Sequence, residues 1–308
     1  MTVKLDPSRR EFLTKGGKIL AGGVVSQFVG PPEGIADSSA AQQQPKTPVV
    51  DCHAHVGIAR LPGTSYDLTD PWYTVADPEQ ILHHAEEAGI DVTVIFPIEN
   101  VTYEKANMDV AEICRRHPGR FVGFAKHDPI IEQGRIRDRL TRECHELGLR
   151  GLKLHKQPSR EMLDVVKELG IPVLYHPKRV SLYEEFLPYY PTINFILAHL
   201  GSDQSENWNE HLAAIELAKR FQNVYLDTST VILTQYLEKA IRELPAERII
   251  FGSDEPEVDC RMEIFKVRVM NLPKEKEELV LGGNMLRLLG GRSQGAPEWA
   301  EHNDNFRD

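Results

Sequence analysis

The stretch "VVDCHAHVG", residues 49–57, places Asp51, His53 and His55 at alternate positions behind an apolar run. In a β-strand, residues i, i+2 and i+4 share a face, so the spacing predicts three polar side chains directed to one side. Imidazole and carboxylate together are ligands for zinc and related divalent ions. Other apolar runs also close on metal-competent or ionisable residues. Lys153 and His155 end "RGLKLH", and His176 ends "PVLYHP". His199 lies in "NFILAHLG", Asp227 and Thr228 in "VYLDTST", and Asp254 in "RIIFGSDEP". Five of the 12 histidines fall at such run ends, which scattered surface histidines would not do.

His53, His55, His176 and Asp254 form a three-nitrogen, one-oxygen set suited to one Zn²⁺, with Mn²⁺ or Fe²⁺ as alternatives. A divalent ion lowers the pKa of a bound water from ~15.7 to ~7. Asp254 is placed to take the proton of that water, and His199 to act as general base or to polarise a substrate.

These residues need a scaffold that presents strand ends together. From residue 48 onward, short β-branched runs alternate with helical stretches. The strand candidates span 48–56, 92–98, 120–127, 150–155, 172–177, 194–201, 224–230 and 248–256. Between them lie amphipathic stretches such as "PEQILHHAEEAG" and "REMLDVVKELG", commonly closed by glycine or proline. Eight strand-and-helix units in succession predict an α/β fold, a closed (β/α)₈ TIM barrel over 46–291, with chemistry at the C-terminal strand ends.

The remaining composition narrows the partners. The chain has 308 residues and a formal net charge of -10, which argues against nucleic acid as a bulk partner. Cys52, Cys114, Cys144 and Cys260 have no CxxC spacing, so a zinc ribbon or thioredoxin-like site is not indicated. Cys52 reads as a small buried hydrophobe pointing away from its histidine neighbours. Residues 1–40 begin with Arg9, Arg10, Phe12 and Leu13, and continue through a Gly-rich apolar stretch too short and broken to span a bilayer. Small residues at Ser38 and Ala40 then offer a cleavage site. The segment resembles a bacterial twin-arginine signal, implying contact with that export machinery, a periplasmic location and no stable membrane insertion. Residues 292–308 read as a loosely held polar tail.

Taken in order, "VVDCHAHVG", "RFVGFAKHDP", "GLKLH", "VLYHP", "FILAHLGS", "VYLDTST", "IIFGSDEP" and "LGGNMLRLLG" resemble the amidohydrolase superfamily, in its amidohydrolase-related branch of TIM-barrel metal enzymes. The resemblance implies metal ligands at His53, His55, His176 and Asp254, and a catalytic histidine at His199. The branch it implies includes hydrolases and non-oxidative decarboxylases, and the absence of an Arg pair beside the HxH strand tips the reading towards a hydrolase of a lactone, ester or amide. The alternative is a non-oxidative decarboxylase of an aromatic or unsaturated acid, and a weaker one is a non-catalytic exported barrel that binds metal or ligand.

Lys153, His155, Arg179 and Arg60 are candidate substrate-binding residues for a small molecule. Lys153 carries its charge to substrate, or, carboxylated as in some relatives, bridges a second metal. Lys156, Lys178 and Arg179 follow the fourth and fifth strands and suit a carboxylate-bearing substrate. Arg60, Tyr66, Trp72 and Tyr73 belong to the long first loop, a specificity lid. Asp227 and Thr228 are expected to hydrogen-bond at the rim, and Asp51 to orient a ligand histidine or an amide from behind. His83, His84, His117, His145, His211 and His302 read as solvated surface. A homo-oligomer is compatible with all of this.

Overall fold

The computed structural model describes residues 47–59 and 75–290, which belong to one compact unit. The signal-like segment 1–40, the lid residues Arg60, Tyr66, Trp72 and Tyr73, and the tail with His302 lie outside the described residues.

Each of the eight expected runs contains a strand. They are β1 (Val50–Ile58), β3 (Val92–Pro97), β4 and β5 (Phe121–Gly123, Ala125–Lys126), β6 (Leu152–Leu154), β7 (Val173–Tyr175), β8 (Phe195–Leu197), β9 (Val224–Asp227) and β10 (Ile249–Ile250). The short β2 (Val75–Ala76) pairs antiparallel with the end of β1, and every other strand pairing is parallel. The strands form two sheets, β2-β1-β3-β4 and β10-β9-β8-β7-β6-β5. The protein is therefore an α/β fold built on parallel sheets.

The two sheets meet at both edges. Phe124 alone separates β4 from β5; its N–H donates to Ile95 O (2.9 Å), and Arg150 N donates to Gly123 O (2.8 Å). A Cβ on Gly151 would fall 2.4 Å from the Phe124 ring, so this close approach needs glycine. At the other edge, Cys52 N donates to Phe251 O (3.0 Å), His55 N to Glu255 O (2.7 Å) and Asp254 N to His53 O (2.7 Å). These bonds bring the histidines of β1 beside the acid that follows β10.

The helices between strands start and stop where local chemistry requires. Asp77 caps α1 (Pro78–Ala88) by accepting from Glu79 N, with Pro78 at the first turn and Gly89 closing the helix at φ 70°. Ser159 caps α4 (Arg160–Leu169) through Met162 N, and Gly170 ends it at φ 66°. Between these lie α2 (Glu104–Arg116) and α3 (Ile136–His145); after them come α5 (Trp208–Arg220), α6 (Thr234–Glu243) and α7 (Cys260–Arg268). Their apolar faces join a core cluster with one side of the strands, while Val50, Cys52, Val94, Phe96 and Ile196 belong to a second cluster.

That division corrects the simple alternation expected for β1. Its pairing with β3 shifts register between Asp51 and Ala54. Val50 and Cys52 pack in the second cluster, whereas Ala54 and Val56 pack on the helix side. The irregularity inverts the parity of the strand midway, so Asp51 does not share the face of His55. Cys52 is buried as expected, but it sits on the side the histidines take after the shift, not away from them.

His127, the last residue of the third run, is 3% exposed and anchors this region. Its Nδ1 lies 3.3 Å from Glu132 Oε2 and its Nε2 2.7 Å from Glu143 Oε2, tying β5 to α3. Asn107 of α2 donates to Glu143 (2.9 Å), and Arg139 donates to Glu132 (2.7 Å). Burial alone would lower the His127 pKa, but the two carboxylates outweigh it and raise the group to about 9. A pKa above the unfolded value contributes stability that is full below about pH 6.5 and lost as pH rises through about 9. His127→Gln should therefore cost about 3 kcal/mol in mild acid, with the deficit shrinking towards about pH 10. Denaturant unfolding across that range checks this; a pH-independent deficit would contradict it.

Candidate active site

The five strand-end histidines meet. Ring centroids are 5.5 Å apart for His53 and His55, 5.7 Å for His55 and His155, and 5.5 Å for His155 and His176. His176 to His199 is 4.4 Å and His199 back to His53 is 4.9 Å, which closes the circle. The Phe96 ring packs edge-on to His55 at 4.7 Å and beside His53 at 5.3 Å. Burial pushes His55 and His176 down to about 3, and His155 and His199 well below the ordinary histidine range. Neutral imidazoles offer lone pairs, the form that binds metals and accepts protons.

Hydrogen bonding fixes which nitrogen carries the proton. His53 Nδ1 lies 2.6 Å from Asp227 Oδ2, and a carboxylate only accepts, so Nδ1 donates. Burial and Lys153 lower the His53 pKa, but Asp254 and Asp227 outweigh them and raise it; in the neutral form the lone pair is on Nε2. The same logic reaches His199. The Ser229 hydroxyl donates to Asp227 (2.8 Å) and the Thr230 hydroxyl donates to Asp203 (2.8 Å). Each hydroxyl has one hydrogen, so both oxygens can only accept from His199 Nδ1, at 2.9 and 3.1 Å. His199 Nε2 is left as a base.

The "GSDEP" segment supplies three separate services. A Cβ on Gly252 would fall 2.4 Å from Asp227 Oδ1, so glycine gives that carboxylate its room. Ser253 donates from N (2.9 Å) and Oγ (2.5 Å) to Asp51, which also accepts from His53 N at 3.0 Å. Asp51 thus braces β1 against the β10 edge. Asp254 brings the acid, with its backbone at φ 67°; His199 (56°), Leu200 (49°) and Thr230 (52°) are likewise left-handed. Such non-glycine residues cost on the order of 1–3 kcal/mol each and cluster where a site imposes them.

Among the described residues the buried Asp254 Oδ1 has no hydrogen-bond partner, and it lies 3.0 Å from His53 Nε2 and 3.2 Å from His55 Nε2. Burial alone would raise this carboxyl, but the facing His53 and His199 hold it well below the ordinary range. Two imidazole Nε2 atoms and a buried carboxylate oxygen converging in this way make a donor set suited to a cation. The ligand atoms of His53, His55 and Asp254 lie within 4.8 Å of one another, so the residues present fit a divalent metal. His176, expected as the fourth ligand, groups instead with His199 and Asp203 next to that set.

A cavity of about 330 Å³ opens here, lined by His55, His155, His176, His199, Asp254 and Lys126. A larger one, about 550 Å³ among Met108, Arg115, Phe121 and Glu146, holds none of these groups, so size does not locate the site. Of the expected substrate residues, His155 lines the cavity. Lys153 does not: it is wholly buried, with Nζ 2.7 Å from His53 Nε2, and burial lowers its pKa to about 7. Arg179 is exposed outside the lining, while its neighbour Lys178 lines it. Lys156 pairs with Asp128.

Asp227 and Thr228 are fully buried and not at the rim, because Asp227 is committed to His53. Three histidines read as surface are not. His117 is half-buried, with Nε2 3.0 Å from Glu79 Oε1. His211 is buried between Leu200 O (2.9 Å) and Ser205 Oγ (2.8 Å), and His84 contacts Glu255 Oε1 at 2.7 Å. Lys126, Glu99, Asp203 and Glu257 also line the cavity and were not singled out from the sequence. Lys126 and Glu99 end the third strand run and follow the second, so the rule that found the histidines would have found them too.

The family model described as Amidohydrolase matches residues 50–291. No curated protein matches the chain. Among solved structures, it is similar to a dihydroxybenzoic acid decarboxylase from Polaromonas with bound manganese and 2-nitroresorcinol (18% identity, TM-score 0.59, covering 79% of this chain and 97% of that one). It is also similar to a probable 2-pyrone-4,6-dicarboxylic acid hydrolase from Acinetobacter baumannii (16%, 0.62, 79% and 99%). A third is an amidohydrolase from Burkholderia multivorans (15%, 0.64, 80% and 100%). At these identities the likeness is one of fold.

The Asp227–His53 bond generates a prediction that needs no substrate. Asp227→Asn should leave the fold intact and weaken Zn²⁺ binding roughly 10–100-fold, because the amide no longer fixes the proton on Nδ1. Competition with a chromophoric chelator measures this, and an unchanged affinity would contradict it.

Proposed function

The chain belongs to the amidohydrolase family, and from that premise we propose a metal-dependent hydrolase that cleaves a C–O or C–N bond of a small lactone, ester or amide. The observation that carries this reading is the buried Oδ1 of Asp254 facing two imidazole nitrogens on the wall of a cavity that His199 also lines. One divalent ion, zinc by preference, would be held by His53, His55 and Asp254, with His176 beside them. When bound, it supplies Lewis acidity and makes water acidic enough to react near neutral pH. Asp254 would be placed to accept a proton from water held there. His199, neutral and with Nε2 unprotonated, moves a proton between nucleophile and leaving group. The parallel strands, hydrogen-bonded across both sheet edges, support a closed (β/α)₈ barrel as the frame.

A second reading uses the same side chains for non-oxidative decarboxylation, with His199 or Asp254 protonating the carbon that loses CO₂. Lys126 in the cavity wall favours it, because a buried cation suits an acid substrate. Metal-loaded protein offered lactones, esters, amides and aromatic acids separates the two. Hydrolysis yields a new acid without CO₂, and CO₂ release contradicts the first reading. His199→Ala should retain metal and lose roughly 10²–10⁴ in turnover; loss of the metal instead would make His199 a ligand.

Export through the twin-arginine route belongs to the same proposal, supported by Arg9, Arg10, Phe12 and Leu13. Among the described residues no helix is long and apolar enough to cross a membrane. Changing Arg9 and Arg10 to Lys should trap a folded, unprocessed precursor in the cytoplasm. Appearance of that variant in the periplasm would remove the assignment.

A further inference from the structure

Lys126 stands in the cavity wall with no part in the metal set. Its side chain is 2% exposed, and its Nζ donates to Glu99 Oε2 (3.0 Å) and to Pro97 O (3.4 Å). The Tyr103 ring lies 5.1 Å away on another side. An ammonium has three N–H bonds; among the described residues two are spent on the wall, which leaves one for the cavity it lines. Glu99 is the opposite kind of partner. Its side chain is 41% exposed, takes a bond from Tyr103 Oη (2.8 Å), and lies 3.5 Å from His155 Nδ1. The cation is fixed in the protein, whereas the anion stands at the edge of water and can leave without burying its charge.

We propose that Lys126 is the residue that selects a carboxylate-bearing substrate, and that Glu99 holds its place as an internal carboxylate until such a substrate arrives. The inference rests on the reading of this cavity as the substrate pocket. It assigns the acid group of the substrate to the wall formed by the second and third strand ends. Asp203 and Glu257, which follow β8 and β10, line the same cavity with acidic groups and offer a substrate carboxylate no cation to pair with on that side. The group that Lys126 already holds is itself a carboxylate, which sets the class of ligand. Lys178 also lines the cavity, but it is exposed and strengthens the field without fixing a position.

Binding to the zinc-loaded full chain tests this without turnover. The probes are glutarate and its monomethyl ester, equal in length and differing in one negative charge. Wild type should prefer glutarate by about tenfold, the size of one charge-assisted hydrogen bond. Lys126→Met should bring the ratio to about one with metal content unchanged, and Lys126→Arg should keep most of it. Glu99→Gln should tighten glutarate about three- to tenfold, because the resident competitor loses its charge. Equal binding of the two probes by wild type, or an unaltered ratio in metal-loaded Lys126→Met, overturns the proposal. Should Lys126→Met fail to fold, Glu99→Gln decides alone, and no tightening there overturns it. Failure to turn over any lactone, ester or amide, with the ratio intact, removes the hydrolytic reading and leaves this one standing.

Discussion

The contact between His53 Nδ1 and Asp227 Oδ2, 2.6 Å long and closed to solvent, is the constraint on which the rest of the site depends. It forces the proton onto one ring nitrogen and aims the other at Asp254. To make it, β9 must end on an acid, and the chain after β10 must carry no side chain at Gly252. The same carboxylate takes the Ser229 hydroxyl proton, which obliges the Ser229 oxygen to accept from His199. One buried acid therefore sets the tautomers of two histidines that approach the cavity from different strands.

That arrangement is expensive for the folded state. The imidazoles of His53, His55 and His199 and the carboxyl groups of Asp51, Asp227 and Asp254 are withdrawn from water, and four residues around them hold left-handed backbone. The surrounding structure offsets this through edge bonds between β1 and the β10 segment, the Asp51–Ser253 brace, and the His127 network behind β5. Rigid placement of imidazoles around a buried carboxylate oxygen is what a metal site requires before the ion arrives. The same rigidity keeps Lys126 at a fixed point of the cavity wall.

Much of the frame was legible in the sequence because strand signals are local. Apolar β-branched runs of four to eight residues, spaced by amphipathic stretches, marked all eight strand positions. Their C-terminal ends marked the histidines and Asp254. What escaped was non-local. The register shift in β1 leaves no trace in a run that alternates cleanly, so Asp51 was expected on the histidines' face, although its expected hold on a backbone amide is met at His53 N and Ser253 N. His211 sits on a helix whose polar face looked solvated, until the segment after β8 folds back over it. Lys126 and Glu99 stand at strand ends like the histidines, but their pairing, a buried cation held by a half-exposed acid, depends on the convergence of two strand ends. His176 was legible as a site residue, but its grouping with His199 and Asp203 depends on ring positions that spacing does not encode.

The central claim is that the convergence of His53, His55 and Asp254 is a metal centre. Crystals of the full chain grown with Zn²⁺ and measured at the zinc absorption edge test it most directly. The account predicts one strong anomalous peak within bonding distance of His53 Nε2, His55 Nε2 and Asp254 Oδ1, with zinc near one equivalent per chain. Absence of a peak there, in protein that elemental analysis shows to be exposed to and free of zinc, or a peak held only by surface groups, would contradict it.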